Sequence, residues 1–481
     1  MAELKVDKIL PATGSSVSLS ESGKTVLIPS GATLDASAAT LSGIGSRVDY
    51  CTSVQSSPFT AAAGKGYFIN TGSAVTVTLP SSPSAGDEII VIDSTGCAST
   101  NNITLGRNTN KIKGLCADAT LENDREGVRI IYSGASQGWI TVTSSNSTAP
   151  DLTQNLYITA TGGTVATCGN YKIHTFTSDG TFTVSCAGNS GGNDQLDYMV
   201  VAGGGGGGAG GGGGGGGAGG FRESRNPANA PAWTASPLAS TTSLTVTATS
   251  FPVTVGAGGS GGLSPGPTSP SRCGSNGNNS IFSTITSTAG GGGGQAGDAQ
   301  PLAPGNPGGS GGGGGQNSPP APANSGGTGN TPPVSPPQGN NGGQGNTAGN
   351  TPGSGGGGGA SAVGANSPGI RAGGNGGAGV STSISGASVA RSGGGGGGAN
   401  GQNPGGGPPT NICSSSPGDG GTGGGGNGGG SPASPRPETG GSGTANTGGG
   451  GGGNGTPGYV AGGNGGTGGS GVVILRYKFQ N

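Results

Sequence analysis

The sequence predicts an all-β protein whose C-terminal half is a glycine-rich bundle of polyglycine II helices, with essentially no α-helix. Short runs of β-branched and aromatic residues, bounded by Gly, Asn, Pro or Ser, recur along residues 46–202. No segment shows the apolar period of an amphipathic helix over a useful length. Gly accounts for 120 and Pro for 33 of the 481 residues, so together they make up 153/481, about 32% of the chain.

Charge and hydropathy exclude several classes of protein. Only 8% of the residues are charged, 4% are aromatic, and the formal net charge is −1. A nucleic-acid or anionic-membrane surface calls for a basic stripe, so neither partner is predicted. The start, MAELKVDKIL, has no apolar signal-peptide core, and no run approaches the ~18 apolar residues of a membrane span. We therefore expect synthesis in a cytoplasm, no signal peptide and no membrane insertion.

The cysteine spacing predicts no metal site. Neither C-x-x-C nor C-x-x-H occurs, and we predict no cofactor. Cys97 with Cys116, and Cys168 with Cys186, are pairs that could bridge in an oxidising environment, but buried free thiols are the preferred interpretation. The seven cysteines are Cys51, Cys97, Cys116, Cys168, Cys186, Cys273 and Cys413.

The first two zones of the chain are residues 1–45 and 46–148. The first zone has few aliphatic residues, separated by Gly, Ser and Pro, and is expected to need neighbouring chains to bury them. The second zone is a β-rich domain, whose predicted strands are GYFIN, AVTVTLP, EIIVID, NITLG, VRIIYS and GWITV.

Residues 149–202 and 471–481 are predicted to form a small β base that frames the glycine-rich region. The segments before the glycine are NLYITAT, YKIHTFTSDGTFTVS and LDYMVVAG, and Ser178–Gly180 reads as a hairpin turn. The run Tyr198–Ala202 directly precedes the glycine-rich region, and GVVILRYKFQN directly follows it. Side-by-side pairing of these two apolar runs would make residues 203–470 an insertion between adjacent strands.

Three structures compete for residues 203–470. Disorder is the default for this composition. Collagen requires Gly at every third position, and the uninterrupted runs Gly203–Gly208 and Gly393–Gly398 break that period. The third structure is a packed bundle of left-handed three-residue helices, and this is our prediction.

Glycine suits such a bundle because a three-residue helix makes no internal hydrogen bonds and points its N–H and C=O groups outward. Without Cβ atoms, neighbouring chains can approach closely enough to bond one another. Glycine would then be the core residue, and Pro/Asn/Ser segments the turns and surface. At about 3.1 Å per residue, Gly203–Gly220 could reach roughly 55 Å. Short β-like blocks such as SLTVTATSFPVTVGAGG and NSIFSTITSTAGGGGG interrupt the glycine.

The combination HTFTSDGTFTV, DYMVVAGGGGGG, FPVTVGAGG, NSIFSTITSTAGGGGG and GSGVVILRYKF resembles the glycine-rich adhesin domain of tailed-bacteriophage tail fibres. The upstream segments, from GKGYFINTGSAVTVTLP to GWITV, look like a β domain common in fibres of short-tailed and marine phages. The resemblance covers the chain from about residue 60 to its end.

This resemblance implies a virion protein of the phage tail. It implies a homotrimer that attaches to phage tail or adaptor proteins through residues 1–45. Its C-terminal loops would contact a bacterial surface receptor of protein or glycan. The alternatives are a purely structural fibre shaft, a glycine-rich surface protein without a receptor, and a glycan depolymerase.

Large or charged side chains within the glycine-rich region are the candidate receptor-binding residues. The first group follows a long glycine run and comprises Phe221, Arg222, Glu223, Arg225 and Trp233. Aromatic and Arg side chains supply much of the energy in protein recognition. The alternative is that Phe221 and Trp233 plug one end of the glycine bundle.

The remaining candidates are Arg371, Arg436 and Glu438, together with Pro319–Pro337. Arg371 and Arg391 could equally be solvated surface charges. We expect the candidate turns to cluster at one end of the bundle.

No catalytic residue is predicted. His174, the only histidine, lies in an alternating run, where a hydrogen-bonded strand residue is expected rather than a general base. The carboxylate pairs Asp87/Glu88 and Glu122/Asp124 are the residues a depolymerase would need, but they are predicted to be solvated in turns.

Overall fold

The computed structural model describes residues 48–144, 156–189, 192–227, 233–264, 272–296, 304–317, 323–347, 353–401, 414–431, 433–455 and 463–480. The predicted attachment segment, residues 1–45, lies outside these ranges. The described residues form β-strands and extended glycine-rich segments, with no α-helix among them. The all-β prediction is thereby confirmed for the described part of the chain.

The β domain, residues 48–144, winds between two sheets. Its strands are β1 (Asp49–Tyr50), β2 (Phe59–Thr60), β3 (Lys65–Ile69), β4 (Val75–Thr78), β5 (Glu88–Asp93), β6 (Ile103–Gly106), β7 (Ala119–Leu121), β8 (Gly127–Tyr132) and β9 (Trp139–Ser144). One sheet has the order β1-β3-β5-β8-β9 and the other β2-β4-β6-β7. The first six strands therefore alternate between the sheets and pair in parallel, whereas β7, β8 and β9 pair antiparallel.

The core of the β domain consists of aliphatic side chains. Alternate residues of each strand point inward, and Ile69, Val77, Ile89, Leu105 and Ile130 are all fully buried in one cluster. Because both sheets contribute to this cluster, it is the layer between them.

The remaining strands are β10 (Ile158–Thr161), β11 (Thr164–Cys168), β12 (Tyr171–Phe176), β13 (Gly180–Ala187), β14 (Gln195–Val201), β15 (Phe221–Ser224), β16 (Ala239–Ser240), β17 (Leu244–Thr245), β18 (Ser250–Thr254), β19 (Ser280–Phe282), β20 (Ile285–Ser287), β21 (Val380–Thr382), β22 (Val389–Arg391) and β23 (Val472–Lys478). Two sheets make up the base, in the orders β10-β13-β18-β19-β20 and β11-β12-β23-β14-β15-β16, with β17 also paired to β14. Phe176, Phe182, Tyr198, Phe282 and Val473 pack between them.

The strands that enter and leave the glycine are neighbours, as predicted. β14 pairs antiparallel with β23, with Tyr198 opposite Leu475 and Val200 opposite Val473. The glycine-rich domain is thus inserted between two adjacent strands of one sheet. The β-like blocks inside the insertion return to this base, where β18, β19 and β20 extend the first sheet.

The predicted hairpin at Ser178–Gly180 is wrong. β12 pairs with β11 and β23, whereas β13 pairs with β10 and β18, so the turn carries the chain from one sheet to the other. The carboxylate of Asp179 accepts a hydrogen bond from the N–H of Val255 at 2.8 Å, which ties the turn to the start of a glycine-rich segment. Alternating sequence on both sides of a turn does not distinguish these two arrangements.

The glycine-rich domain consists of extended segments that run from the base to a distal end and back. In the first segment, every N–H from Gly203 to Ala209 donates to a backbone carbonyl of another segment, at 2.7–3.0 Å. The partners repeat every three residues. One neighbouring segment supplies the carbonyls of residues 278, 275 and 272, which accept from the N–H groups of residues 203, 206 and 209. A second segment supplies those of 469 and 466, which accept from 204 and 207. A third supplies those of 217 and 214, which accept from 205 and 208.

The same three-residue rotation of partners occurs in other interior segments. From Gly213 to Phe221, each N–H again donates to a carbonyl, and the partners lie in several different segments. The glycines among these interior residues are buried although they have no side chains. Backbone packed on backbone is therefore the core of this domain.

The close approach of the segments leaves no room for Cβ atoms. A Cβ on Gly206 would lie 2.0 Å from the carbonyl oxygen of Ser260, and one on Gly215 would lie 2.1 Å from that of Gly395. Both distances are far inside van der Waals contact. Glycine is required at these positions because any other residue would push the neighbouring segment away.

Surface segments show the same period in their burial. Gly256, Gly259 and Gly262 are buried, whereas Ala257 and Ser260, which directly follow the first two, are exposed. In the run GNGGTGGSG of residues 463–471, the exposed positions are the Asn and Thr, three residues apart. Non-glycine residues thus occupy the outward position of a three-residue repeat.

Asparagine side chains complete the hydrogen bonding between surface segments. The Oδ1 of Asn375, for example, accepts from the N–H of Asp419 at 2.9 Å. A carboxamide carries the same acceptor as a peptide group, so it substitutes for a backbone neighbour that a surface segment lacks. Asn276, Asn341, Asn366, Asn427 and Asn464 accept a backbone N–H in the same way.

Candidate functional site

The distal end of the glycine-rich domain is defined by the turn Gly210–Gly212 and the residues bonded to it. The three glycines have φ of 105°, 111° and 132°, a region that favours glycine. This turn sends the chain back beside itself, so the prediction of one straight helix over Gly203–Gly220 is wrong. Two antiparallel segments result, and the N–H of Gly205 donates to the carbonyl of Gly217 at 2.9 Å.

Asn454 holds the distal turn in place. Its side chain is fully buried, and its Oδ1 accepts from the N–H groups of Gly211, Gly212 and Gly213 at 3.4, 3.4 and 3.1 Å. Its Nδ2 donates to the carbonyl of Gly463 at 2.8 Å. One side chain therefore joins the turn to a neighbouring segment.

Arg371, Arg436 and Glu438 lie at this distal end. The carbonyl of Glu438 accepts from the N–H of Gly455, the residue after Asn454, at 2.7 Å. The hydroxyl of Ser354 donates to the carbonyl of Gly213 at 2.7 Å. The backbone carbonyl of Ser354 accepts from the N–H of Gly374, three residues after Arg371. The structure thus brings these three sequence-predicted residues to one end of the domain.

Arg436 is held rigidly at the distal end. Its Nη1 donates to the carbonyl of Gly418 at 3.0 Å, and its Nη2 forms an ion pair with the carboxylate of Asp419. The Arg436 side chain is 29% exposed and that of Asp419 is 65% exposed. The pair presents both charges to solvent in a fixed geometry, which limits the entropy lost when a ligand binds.

Arg371 is half-buried beside an exposed aliphatic residue. Its backbone has a φ of 59°, its carbonyl accepts from the N–H of Ser416 at 2.9 Å, and its Nε is buried without a hydrogen-bond partner. The preceding residue, Ile370, is 55% exposed, and Leu263, at the end of another distal segment, is 59% exposed. Sequence reasoning missed Ile370 and Leu263, whose only signal is an isolated aliphatic residue that follows a glycine and lies two positions from a proline.

Phe221 and Trp233 are buried at the opposite end, against the base. They are 1% and 5% exposed and pack with Met199, Val472 and Ile474. Their burial corresponds to the plug interpretation, since side chains in this core cannot touch a receptor while the domain is folded. Neither residue belongs to the candidate surface.

Arg222 and Arg225 also lie at the base. Arg222 is half-buried on β15, opposite Val200 of β14. Arg225 donates from Nη1 to the carbonyl of Trp233 at 2.9 Å, and its guanidinium lies 5.9 Å from the centre of that indole ring. The expected clustering of all candidate turns at one end is therefore wrong, because this first group lies opposite the distal end.

Glu223 and Arg391 are buried near this base cluster. The Oε2 of Glu223 accepts from the N–H of Ser236 at 2.9 Å, and its Oε1 accepts from the hydroxyl of Thr382. Burial raises the pKa of the Glu223 carboxyl, and these hydrogen bonds oppose the rise. Burial lowers the pKa of Arg391, which is 7% exposed and so is not a solvated surface charge.

Of the Pro319–Pro337 segment, the described part leads into Gln338 at the base. The carbonyl of Gln338 accepts from the N–H of Phe221 at 2.8 Å, so this end of the segment lies away from the distal turn. Residues 318–322 lie outside the described ranges.

The groups weighed for catalysis are engaged in the fold. His174 is fully buried, with Nδ1 2.7 Å from the carbonyl of Gly162 and Nε2 3.1 Å from the hydroxyl of Tyr477. Glu88 is buried and ion-paired with Arg129, which contradicts its predicted solvation.

The second carboxylate pair also has local partners. Glu122 accepts from the hydroxyl of Thr120 at 2.7 Å, and Asp124 is exposed and accepts from the N–H of Ser99 at 2.9 Å. No group of three or more His, Cys, Asp or Glu suited to a metal ion occurs among the residues that the structure describes. The described ranges also contain no helix long and apolar enough to span a bilayer.

Comparison with known families identifies the C-terminal part of the chain. A family model described as a glycine-rich domain matches residues 175–478, well over half of the 481 residues. The matched range extends from β12 to β23, so it contains the insertion and most of the base. No curated protein matches the chain. The chain therefore belongs to the glycine-rich domain family.

Proposed function

We propose that this protein is a tail-fibre adhesin of a tailed bacteriophage that recognises a host cell-surface receptor through the distal end of its glycine-rich domain. The observation that carries the proposal is the polarity of this domain. Both of its connections to the rest of the chain, β14 and β23, lie at the base, and turns such as Gly210–Gly212 lie at the other end. Because the chain enters and leaves the domain at the base, the opposite end is left to meet a partner.

We propose further that the extended segments are polyglycine II helices. The three-residue rotation of hydrogen-bond partners in Gly203–Ala209 has the period of such a helix, and no glycine of Gly203–Gly208 has φ in the left-handed region. A segment of seven residues would be about 20 Å long at ~3.1 Å per residue. Such a bundle supports the distal turns rigidly, which suits a receptor-binding surface.

The proposed receptor-binding surface comprises Leu263, Ile370, Arg371, Arg436 and Glu438. It combines two exposed aliphatic side chains with charged groups of both signs. Apolar contacts surrounded by oriented polar groups are typical of recognition surfaces for proteins and glycans. Charge alone is too balanced here to attract a strongly basic or acidic partner.

The remaining parts of the proposal rest on the resemblance to phage fibres. Residues 1–45 attach the chain to tail or adaptor proteins, and three copies assemble into the fibre. Both statements concern the virion, so they are tested by locating the chain in purified particles with mass spectrometry and antibody-labelled electron microscopy. Label at the free end of the tail fibre supports the proposal, and absence of the chain from particles contradicts it.

Receptor binding is tested with labelled full-length protein on a panel of bacterial strains. The double variant Ile370→Ser/Arg371→Ala should lose most of the binding that the unaltered chain shows to its host strain. Arg222→Ala is the matched control, because it removes a half-buried arginine at the base and should leave binding unchanged. Equal binding by all three proteins would exclude this surface, and binding to no strain that the phage infects would favour a purely structural shaft.

A further inference from the structure

The β domain and the base meet at a cleft that is lined by Cys116 and lies next to Cys186. A cavity of 360 Å³ lies between them, lined by Arg107, Cys116 and Asp118 from the β domain and by Tyr157, Thr159 and Phe479 from the base. Thr159 lies on β10 and pairs directly with Cys186 of β13. Cys116 and Cys186 therefore face the same contact from its two sides.

The two thiols lie within hydrogen-bonding reach of each other. The Cys116 thiol, and the backbone N–H groups of Cys116 and Gly188, lie close enough to the Cys186 sulfur to influence its pKa. Both residues are free thiols, with Cys186 buried and Cys116 half-buried. The sequence-based pairs Cys97–Cys116 and Cys168–Cys186 differ from this arrangement, since β-strand spacing alone does not reveal which thiols meet between domains.

We propose that Cys116 and Cys186 form a disulfide that locks the β domain to the base once the protein leaves a reducing compartment. The oxidant is a small-molecule disulfide. The bond would close a loop that includes residues 145–155, which connect the two domains in sequence. Without it, non-covalent contacts across the cleft hold the orientation of the domains.

The accessible thiol reacts first. The Cys116 thiolate attacks one sulfur of the small disulfide RSSR, which gives the mixed disulfide Cys116–S–S–R and releases one thiolate RS⁻. Burial raises the pKa of Cys186, so its thiolate forms less readily and this residue does not attack first. Cys186 resolves the intermediate in the second step.

In the second step the Cys186 thiolate attacks the Cys116 sulfur and displaces the second RS⁻. The two protons from the protein thiols leave with the products as two RSH. Two protein thiols are thereby oxidised, and one RSSR is reduced. Because Cys116 and Cys186 are already in contact, the mixed disulfide should be short-lived.

The experiment treats the purified full-length chain with oxidised glutathione and maps its peptides by mass spectrometry without reduction. We expect a linked pair of peptides containing Cys116 and Cys186, two hydrogens lighter than the separate thiols, and little glutathione retained on Cys116. Dithiothreitol should reverse the link. A persistent Cys116–glutathione adduct, or a link from Cys116 to any other cysteine, would overturn the proposal.

Two variants separate the proposal from a general effect of oxidation. Cys116→Ser should abolish the linked peptide and leave Cys186 as a free thiol. Cys97→Ser is the matched control, since Cys97 is an exposed thiol of the same domain, and it should preserve the link. Oxidation should also raise the thermal unfolding midpoint of the unaltered chain and of Cys97→Ser but not of Cys116→Ser, and an equal midpoint shift in all three would count against the lock.

Discussion

The β domain and the glycine-rich domain both bury their backbone amides, but they differ in what fills the space between chains. In the β domain, strands pair within two sheets and aliphatic side chains such as Ile89 and Leu105 fill the layer between the sheets. In the glycine-rich domain, each interior segment bonds several neighbours directly, and no side chain separates them. Ordering glycine costs more entropy than ordering other residues, so dense hydrogen bonding and close packing must offset that cost.

The comparison shows that the same chemical change has opposite consequences in the two domains. Removing side-chain atoms leaves a cavity in an aliphatic core, whereas adding them separates the segments of a backbone core. Truncating a side chain in the β domain and adding one in the glycine-rich domain therefore test the two kinds of core.

The largest effect is expected for Gly215→Val. A Cβ at this position would lie 2.1 Å from the carbonyl oxygen of Gly395, and the position is buried. The segments can accommodate the side chain only by breaking bonds to several neighbours, so we expect the glycine-rich domain to lose its cooperative unfolding transition in calorimetry. Ser260→Val is the control, because that residue is exposed on a surface segment and should unfold nearly as the unaltered chain does. If both variants kept, or both lost, the cooperative unfolding transition, close backbone packing would not be what requires glycine at the interior position.

Ile89→Ala should destabilise the β domain by about 2–5 kcal/mol. Ile89 is fully buried in the cluster between the two sheets, so its truncation removes apolar contacts and leaves a cavity. Chemical denaturation followed by the fluorescence of Trp139, a buried residue of the same cluster, measures the change. Val142→Ala is the control, since Val142 is 46% exposed and its truncation should change the free energy of unfolding little.

Asn454→Ala should cost about 1–3 kcal/mol, because it leaves the buried N–H groups of the distal turn without their acceptor. Hydrogen exchange of the variant, measured by mass spectrometry, should be faster than that of the unaltered chain. We expect the increase to be confined to Gly211–Gly213 and the segments beside them. Asn464→Ala is the matched control, because this exposed side chain accepts a single bond, from the N–H of Ser264 at 2.8 Å. If the two variants lost equal stability, the distal turn would not depend on Asn454.

The smallest predicted effect is that the two-sheet β base becomes less stable in acid. Burial lowers the pKa of His174 below its ordinary value of 6.5, so below about pH 6.5 the unfolded chain binds more protons than the folded chain. The free energy of unfolding should fall as the pH drops from about 6.5 toward the lowered pKa. His174→Gln should lack this component, and the difference between the two proteins should be constant above pH 7. A difference between the two proteins that stayed the same from pH 7 down to about pH 5 would contradict the assignment.

The sequence was sufficient to predict the elements whose signal is local. EIIVID is β5, and the apolar runs on either side of the glycine pair as β14 and β23. Glycine as a core residue was also predictable, because only glycine lets backbones approach one another closely. The parallel winding of β1–β6 was not, since strand pattern alone does not specify which sheet a strand joins.

The candidate surface was predictable only in part. Arg371, Arg436 and Glu438 share the distal end, but Phe221 and Trp233 are core residues of the base. An aromatic residue after a long glycine run gives no indication of which way the chain has turned. The sequence did contain an unused signal, since the three-residue spacing of Asn464 and Thr467 in GNGGTGGSG marks the outward face of a surface segment.

Hydrogen exchange of the full chain, followed by mass spectrometry, measures whether the glycine amides of the C-terminal domain are protected from solvent. If the amides of the interior glycine segments bond neighbouring segments, then Gly203–Gly208 and Gly213–Gly220 should exchange as slowly as β5 of the β domain. Exchange of these glycines at the rate of an unstructured peptide, while β5 stayed protected, would show that the glycine-rich domain has no backbone core.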